Sequence, residues 1–77
     1  MTKIDIFQAH VGKLLQKQLN TENLSEQEKT GIKISVYGIF EKHLDLEELF
    51  YELLDYLEDE ADLPELIDPI ENFYSNL

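Results

Sequence analysis

Apolar side chains recur at every third or fourth position along most of this chain, which is the period of an amphipathic α-helix. The first such segment spans residues 3–19, and its polar side carries Lys13, Lys17 and His10. Its apolar stripe comprises Ile4, Phe7, Val11, Leu14, Leu15 and Leu19. We therefore expect a helix with a solvent-exposed His10, ended by the polar loop at residues 20–23.

Residues 26–43 form the second predicted helix. Ser25 and Glu28 have the spacing of a capping box, in which each side chain accepts a hydrogen bond from the backbone N–H of the other residue. Within residues 31–39 apolar and polar side chains alternate as in a β-strand. No second strand is evident to pair with this one, so we expect helix throughout, with His43 as a cation near its C-terminal end.

The third predicted helix spans residues 46–61, with Asp45 as its N-cap and Glu48 at the capping-box spacing. Leucine and phenylalanine form its core stripe, and Tyr51 and Tyr56 flank that stripe on either side. The resulting apolar and aromatic arc covers more than half of the helix circumference. Either this helix lies centrally among the other three, or part of the arc forms a dimer or partner interface.

Pro64 and Pro69 divide the C-terminal segment. Because proline is tolerated in the first turn of a helix, Asp68 and Pro69 predict an N-cap followed by the first helical position. We expect a short turn near residues 63–67 and then a short helix at residues 69–76. The whole chain is predicted to be a single all-α domain, either a small compact four-helix bundle or an orthogonal helical array.

Charge is divided unevenly along the chain, which has six lysines, no arginine and 17 acidic residues, for a net charge of −11. All six lysines lie in residues 1–42 together with five acids, whereas residues 43–77 hold 12 acids and no lysine. Phosphate contacts require clustered lysine or arginine, so we expect no direct nucleic-acid binding and no attachment to anionic membranes. Such a surface suits a basic protein partner, or else serves only solubility.

No pattern in the sequence predicts an enzyme, a cofactor or a metal site. There is no cysteine, no glycine-rich phosphate loop and no nucleophile–base set. His43, Asp45 and Glu47 come nearest to a metal-ligand cluster, but an N-cap at Asp45 would separate the other two side chains. No leader-like or membrane-spanning apolar run is evident, so we expect a cytoplasmic location.

The end of the third predicted helix breaks a local rule. Helix C-termini carry partial negative charge and favour cations, yet this one ends in acids with no lysine nearby in the sequence. We interpret these acids, with neighbouring tyrosines as aromatic anchors, as a partner-binding face. The face comprises Tyr51, Tyr56, Glu58, Asp59, Glu60, Asp62, Glu65, Asp68, Glu71 and Tyr74.

These observations predict a small acidic module that captures or inhibits a basic macromolecule. Inhibitors, immunity proteins, antitoxins and nucleic-acid mimics are analogous in charge and size. The alternative is a structural homodimer, whose wide third helix forms the interface and whose acidity serves only solubility.

In length, acidity and four-helix plan the chain is also similar to acyl carrier proteins. That resemblance implies a phosphopantetheine arm on Ser35, by analogy with the serine that opens the second helix in that family. The family's Asp-Ser-Leu motif is replaced here by Ile34-Ser35-Val36. Ser35 is moreover predicted to lie inside the second helix, so the resemblance is confined to bulk properties.

Overall fold

The computed structural model describes all 77 residues and contains four α-helices and no β-strand. The helices are α1 (Lys3–Thr21), α2 (Glu26–Lys42), α3 (Leu46–Asp55) and α4 (Ile67–Ser75). A π-helical turn (Tyr56–Glu60) extends α3, and a 3₁₀ turn (Pro64–Leu66) leads into α4. α1 packs against α2, the 3₁₀ turn and α4, while α3 packs against α2. The predicted all-α fold is confirmed, in a molecule of 33 × 23 × 23 Å.

Capping boxes begin the first two helices. The Thr2 hydroxyl accepts from the backbone N–H of Asp5 at 3.1 Å, and the Asp5 carboxylate accepts from that of Thr2 at 3.2 Å. Ser25 and Glu28 form the same two bonds at 3.1 and 3.3 Å, which confirms the predicted start of α2. Each box satisfies backbone N–H groups that the start of a helix otherwise leaves without a partner.

α3 begins with a cap that is only partly as predicted. Asp45 Oδ1 accepts from the backbone N–H groups of Glu47 at 2.8 Å and Glu48 at 3.4 Å, which confirms Asp45 as the N-cap. The prediction of a reciprocal bond, from the backbone N–H of Asp45 to the Glu48 carboxylate, is wrong. Its carboxylate turns instead toward the imidazole of His43, with 3.9 Å between Oε2 and Nδ1.

α2 is helical throughout, including the strand-like residues 31–39. Val36, Ile39 and Phe40 are buried at helical spacing, whereas Ile34 is 67% exposed. The helix therefore leaves Ile34 in solvent, and burial of Val36, Ile39 and Phe40 on one side favours the helix over a strand.

α4 begins two residues before its predicted start. It starts at Ile67, so Asp68 lies inside the first turn and forms no side-chain cap. The prediction of Asp68 as N-cap is wrong because the 3₁₀ turn already supplies helical backbone immediately before α4. Pro69 remains in the first turn, where its missing N–H removes no intrahelical hydrogen bond.

Phe7 lies at the centre of a core whose buried side chains are all apolar. Its ring centroid is 5.8 Å from that of Phe40 on α2 and 6.2 Å from that of Phe50 on α3. On α4 the corresponding distances are 6.4 Å to Phe73 and 6.0 Å to Tyr74. One side chain of α1 thus lies against every other α-helix, and apolar burial and ring contacts hold the helices together.

The wide apolar arc of α3 is filled within one chain. Phe50 and Leu53 are buried, and the Phe50 ring lies against Phe7 and stacks on Tyr74 at a centroid distance of 3.8 Å. Of the large side chains in the arc, Tyr51 alone is exposed, at 59%. Contacts with Phe7 on α1 and Tyr74 on α4 therefore cover much of the arc within one chain.

His10 is not simply exposed to solvent, as the sequence pattern predicted. Its ring stacks on that of Phe73, with 3.8 Å between centroids and 5° between planes, and the residue is half-buried. The expectation fails because α4 covers part of the polar side of α1, and a polar–apolar pattern does not reveal which short helix packs there.

Replacing Phe7 with alanine should lower the free energy of unfolding by about 3–5 kcal/mol, because the cavity would separate α1 from three helices. A domain of this length has a total stability of roughly 4–12 kcal/mol, so the loss would be large. Urea denaturation followed by far-UV circular dichroism measures it. The neighbouring change Ile6→Ala, at a side chain 40% exposed, should cost less than about 1 kcal/mol. Equal losses in the two variants would contradict the central place given to Phe7.

Irregular backbone follows α3. In the π turn the N–H of Ala61 donates to the carbonyl of Tyr56, five residues earlier, at 2.9 Å. The N–H of Leu63 donates to the carbonyl of Leu57 at 2.8 Å. Between these bonds Asp62 is left-handed, with a φ of 53°. Glycine is the usual residue in that conformation, because a Cβ there costs on the order of 1 kcal/mol.

Asp62→Gly should raise the free energy of unfolding by about 0.5–1 kcal/mol, because it relieves the left-handed strain and removes an acid from a helix C-terminus. Thermal unfolding should show the gain as a rise in Tm of several degrees. The same chemical change inside the π turn, Asp59→Gly, relieves no left-handed strain and should change stability by less than about 0.5 kcal/mol, because aspartate and glycine differ little in helix propensity. A loss of stability in Asp62→Gly would show that Asp62 makes a compensating interaction.

Candidate functional site

A shallow groove of about 490 Å³ lies between α2 and the C-terminal part of α3. Its lining residues are Ser35, Ile39 and Lys42 from α2, with Glu52, Asp55, Tyr56, Asp59 and Glu60 on the opposite wall. Four of these eight residues are carboxylates and one is a lysine. We call this region the acidic groove.

Helical spacing brings the carboxylates of the acidic groove to one side of the molecule. Glu52, Asp55 and Asp59 follow one another at intervals of three and four residues, which share a helix face. Leu53 and Leu57, the next positions around the helix, are buried, so core packing fixes the direction of the acidic row. Like charges at these intervals repel one another, and the row therefore favours a nearby cation.

Lys42 supplies a positive charge, and His43 an imidazole, at one end of the acidic groove. Lys42 Nζ lies 3.4 Å from Oε1 of Glu52, and His43 Nε2 lies 3.0 Å from Oε2 of the same carboxylate. The His43 contact is short but is not aligned as a hydrogen bond, and Nε2 has no other partner. His43 ends α2 as predicted, with its ring turned toward α3.

This arrangement changes the acidity of one carboxylate. The contact with His43 lowers the pKa of Glu52 below its ordinary value of 4.5, partial desolvation opposes the change, and the Lys42 charge adds to it. Asp55 and Asp59 form no ion pair within the chain. The acidic groove thus has one paired end and one end whose carboxylates lack a cation.

The structure gathers half of the predicted partner-binding face into one segment. Tyr56, Asp59 and Glu60 line the acidic groove. Glu58 and Asp62 are exposed beside it, in the π turn and two residues after it. The segment that contains these five residues is also the one in which the backbone departs from α-helical geometry.

The three acids nearer the C-terminus lie away from the acidic groove. Glu65 accepts a hydrogen bond from Nε2 of Gln18 at 3.0 Å, which ties it to α1. Asp68 and Glu71 are exposed on α4. None of the three lines the acidic groove, so the predicted face is not one continuous site.

Tyr51 and Tyr74 are also absent from the lining of the acidic groove. Burial of Tyr74, which stacks on Phe50, raises the pKa of its phenol above the ordinary value of 10.0, and the Glu47 carboxylate adds to this. Tyr51 lies beside the same phenylalanine, with 5.5 Å between ring centroids, and remains exposed. Tyr74 therefore contributes to helix packing, and Tyr56 is the tyrosine available to a ligand in the groove.

Sequence reasoning missed Glu52, Asp55 and Lys42, which complete the acidic groove. A signal for the two acids was present, because they continue the spacing of Tyr56 and Asp59 toward the start of the helix. Lys42 could not be assigned in this way, since its place depends on how α2 packs against α3.

Asp45, considered for metal binding, and Ser35, considered for a phosphopantetheine arm, both lie in ordinary helical positions. Asp45 is used in the cap of α3, and no group of three His, Asp or Glu side chains is arranged to hold a metal ion. Ser35 lies inside α2, as predicted, and not at a helix start, where acyl carrier proteins carry their arm.

Comparison with protein-family models, with curated proteins and with solved structures gave no match for the chain. No helix has both the length and the apolar character that crossing a membrane requires.

Glu52→Gln should lower the free energy of unfolding at about pH 6, and the difference from the parent should narrow toward about pH 3. Since the folded state lowers the pKa of Glu52, its stabilisation is present above the unfolded value and is lost as pH falls through the folded value. Urea denaturation across this range measures the difference. In a His43→Gln background the Glu52 effect should shrink, and an unchanged effect would show that His43 is not its main cause.

Proposed function

We propose that the protein is a non-enzymatic binding module, which captures a basic protein by accepting a lysine or arginine side chain in the acidic groove. The observation that supports this is the convergence of four carboxylates with one lysine in a surface groove. The carboxylates repel one another in the free protein, and a cation from a partner would relieve that repulsion.

The energetic case depends on several acids lying close together at the protein surface. Two unit charges 4 Å apart interact by about 1 kcal/mol in bulk water and by about 4 kcal/mol near a protein surface. Asp55, Asp59 and Glu60 could share one guanidinium, whose five N–H donors suit several carboxylate oxygens. The Tyr56 ring on the same wall could add a cation–π contact.

Lys42 acts in this proposal as an internal competitor of the partner. Its ammonium already lies 3.4 Å from Glu52, in the groove that a partner's cation would enter. Binding would therefore be strongest at the end away from Lys42, near Asp59 and Glu60. Repulsion between Lys42 and the incoming cation would limit affinity.

The irregular backbone next to the acidic groove also supports the proposal. π-helical turns and left-handed non-glycine residues cost stability and are frequent at functional sites. Here the π turn presents Asp59 and Glu60, and Asp62, two residues after the turn, has a positive φ.

The test is a capture experiment followed by titration. Immobilised protein is exposed to lysate of the source organism, and bound proteins are eluted with a salt gradient and identified by mass spectrometry. The proposal expects a basic partner released at moderate salt. Asp59→Lys combined with Glu60→Lys should then weaken its binding at least about 100-fold, because attraction becomes repulsion at the same positions.

A matched control separates the acidic groove from total charge. Glu41→Lys with Glu71→Lys changes net charge equally at two exposed residues outside the groove, and should weaken binding less than about fivefold. Lys42→Gln should tighten binding by about two- to tenfold. Equal losses in the two double variants, or no effect of Lys42→Gln, would contradict a role for the groove.

A further inference from the structure

A second groove, on α1, has the opposite charge. It has a volume of about 600 Å³ and is lined by seven residues of α1 between Gln8 and Asn20, together with Tyr37 of α2. Its ionisable groups are Lys13, Lys17 and the Tyr37 phenol. No carboxylate lines it, although acids do line the two other large grooves. We call it the basic groove.

Gly12 opens the floor of the basic groove. A Cβ at this position would lie 3.1 Å from the Tyr37 hydroxyl, so the missing side chain lets the phenol reach α1. Glycine inside a helix costs up to about 1 kcal/mol relative to alanine. The Tyr37 phenol and the amides of Gln8 and Gln16 line the groove together with the two lysines.

The two lysines of the basic groove are not paired with acids of the chain. Lys29 and Lys42 each lie within 4 Å of a glutamate oxygen, at 3.8 and 3.4 Å. Lys13 and Lys17 form no ion pair in a chain that carries 17 acids. The long axis of the molecule is 33 Å, several times the Debye length of about 8 Å, so salt screens much of the distant acidic surface.

The dimensions of the basic groove suit an extended chain. Gln8 and Asn20 are twelve residues apart, or about 18 Å along a helix. The basic groove is open to solvent, and its polar groups form a row along α1. An extended peptide of about six residues covers the same length, at about 3.3 Å per residue.

The spacing of the two lysines specifies where a peptide ligand would carry its carboxylates. Lys13 and Lys17 are separated by about 6 Å along α1. In an extended peptide, side chains at positions i and i+2 point to the same side and are about 6.6 Å apart. We propose that the basic groove binds an extended acidic peptide with carboxylates at alternate positions, one on each lysine.

The same geometry disfavours two other anions. A single phosphate requires donors converging on one point, whereas the donors here are spread along a line of about 18 Å. A nucleic acid requires several neutralised phosphates, and two lysines on a molecule of net charge −11 supply few. The amides of Gln16 and Asn20, bonded to each other at 3.1 Å, can both donate to and accept from a peptide backbone.

The experiment is an NMR titration of the full ¹⁵N-labelled chain, at an ionic strength of about 0.15 M, with the peptide Gly-Thr-Glu-Thr-Glu-Thr-Gly. The expected result is saturable shifts of amides from Gly12 to Lys17 and at Tyr37. Lys13→Gln with Lys17→Gln should raise Kd about fivefold, the effect of losing two exposed ion pairs. The matched control Lys3→Gln with Lys33→Gln removes the same charge outside the groove and should change Kd less than about twofold.

Three further titrations compare this peptide with other ligands that the groove could bind. The peptide Gly-Thr-Thr-Glu-Glu-Thr-Gly has the same composition, but its adjacent carboxylates point to opposite sides and only one can reach a lysine, so it should bind about twofold more weakly. Inorganic phosphate and a ten-nucleotide oligothymidine should bind more weakly than the first peptide. Equal affinity for the two peptides, tighter binding of phosphate or oligonucleotide, or no saturable shift would overturn the proposal.

Discussion

Burial of Phe7 is the contact on which the arrangement of the helices depends. The chain has no disulfide to join its segments, and a domain of this size buries only about 60% of its unfolded surface. α4 has nine residues, too few for a stable isolated helix, and Phe73 and Tyr74 attach it to the rest through Phe7 and Phe50. The same ring cluster directs α3 and therefore the row of acids on its outer face. The proposed partner-binding surface is thus positioned by apolar contacts in which it takes no part.

The apolar core places every charged residue at or near the surface. Twelve acids lie in residues 43–77, and helical packing alone would leave them mutually repelling. Lys42 and His43 reduce this repulsion at Glu52 and join the end of α2 to α3. Their contact joins two helices, which explains why positive charge is present in an otherwise acidic groove. The remaining carboxylates of the groove are those that the proposed partner's cation would contact.

Features set by local chemistry were predictable from the sequence. The Ser25–Glu28 capping box, the Asp45 cap and the helical state of residues 31–39 follow from hydrogen bonding and apolar spacing along one segment. Features set by packing between segments were not predictable. The early start of α4, the stacking of His10 on Phe73 and the entry of Lys42 into the acidic groove each require knowing which helices meet.

α2 forms a wall of both grooves, with Tyr37 at the basic groove and Ser35, Ile39 and Lys42 at the acidic groove. A helix is about 10–12 Å across, slightly more than the Debye length of about 8 Å at physiological ionic strength. Under those conditions each groove presents its own charge to a ligand, despite the net charge of −11. At low salt the Debye length grows to about 30 Å, which spans the molecule, and the acids of α3 then weaken the field of Lys13 and Lys17. The separation of opposite charges across α2 is therefore what allows one small chain to offer two distinct ionic surfaces.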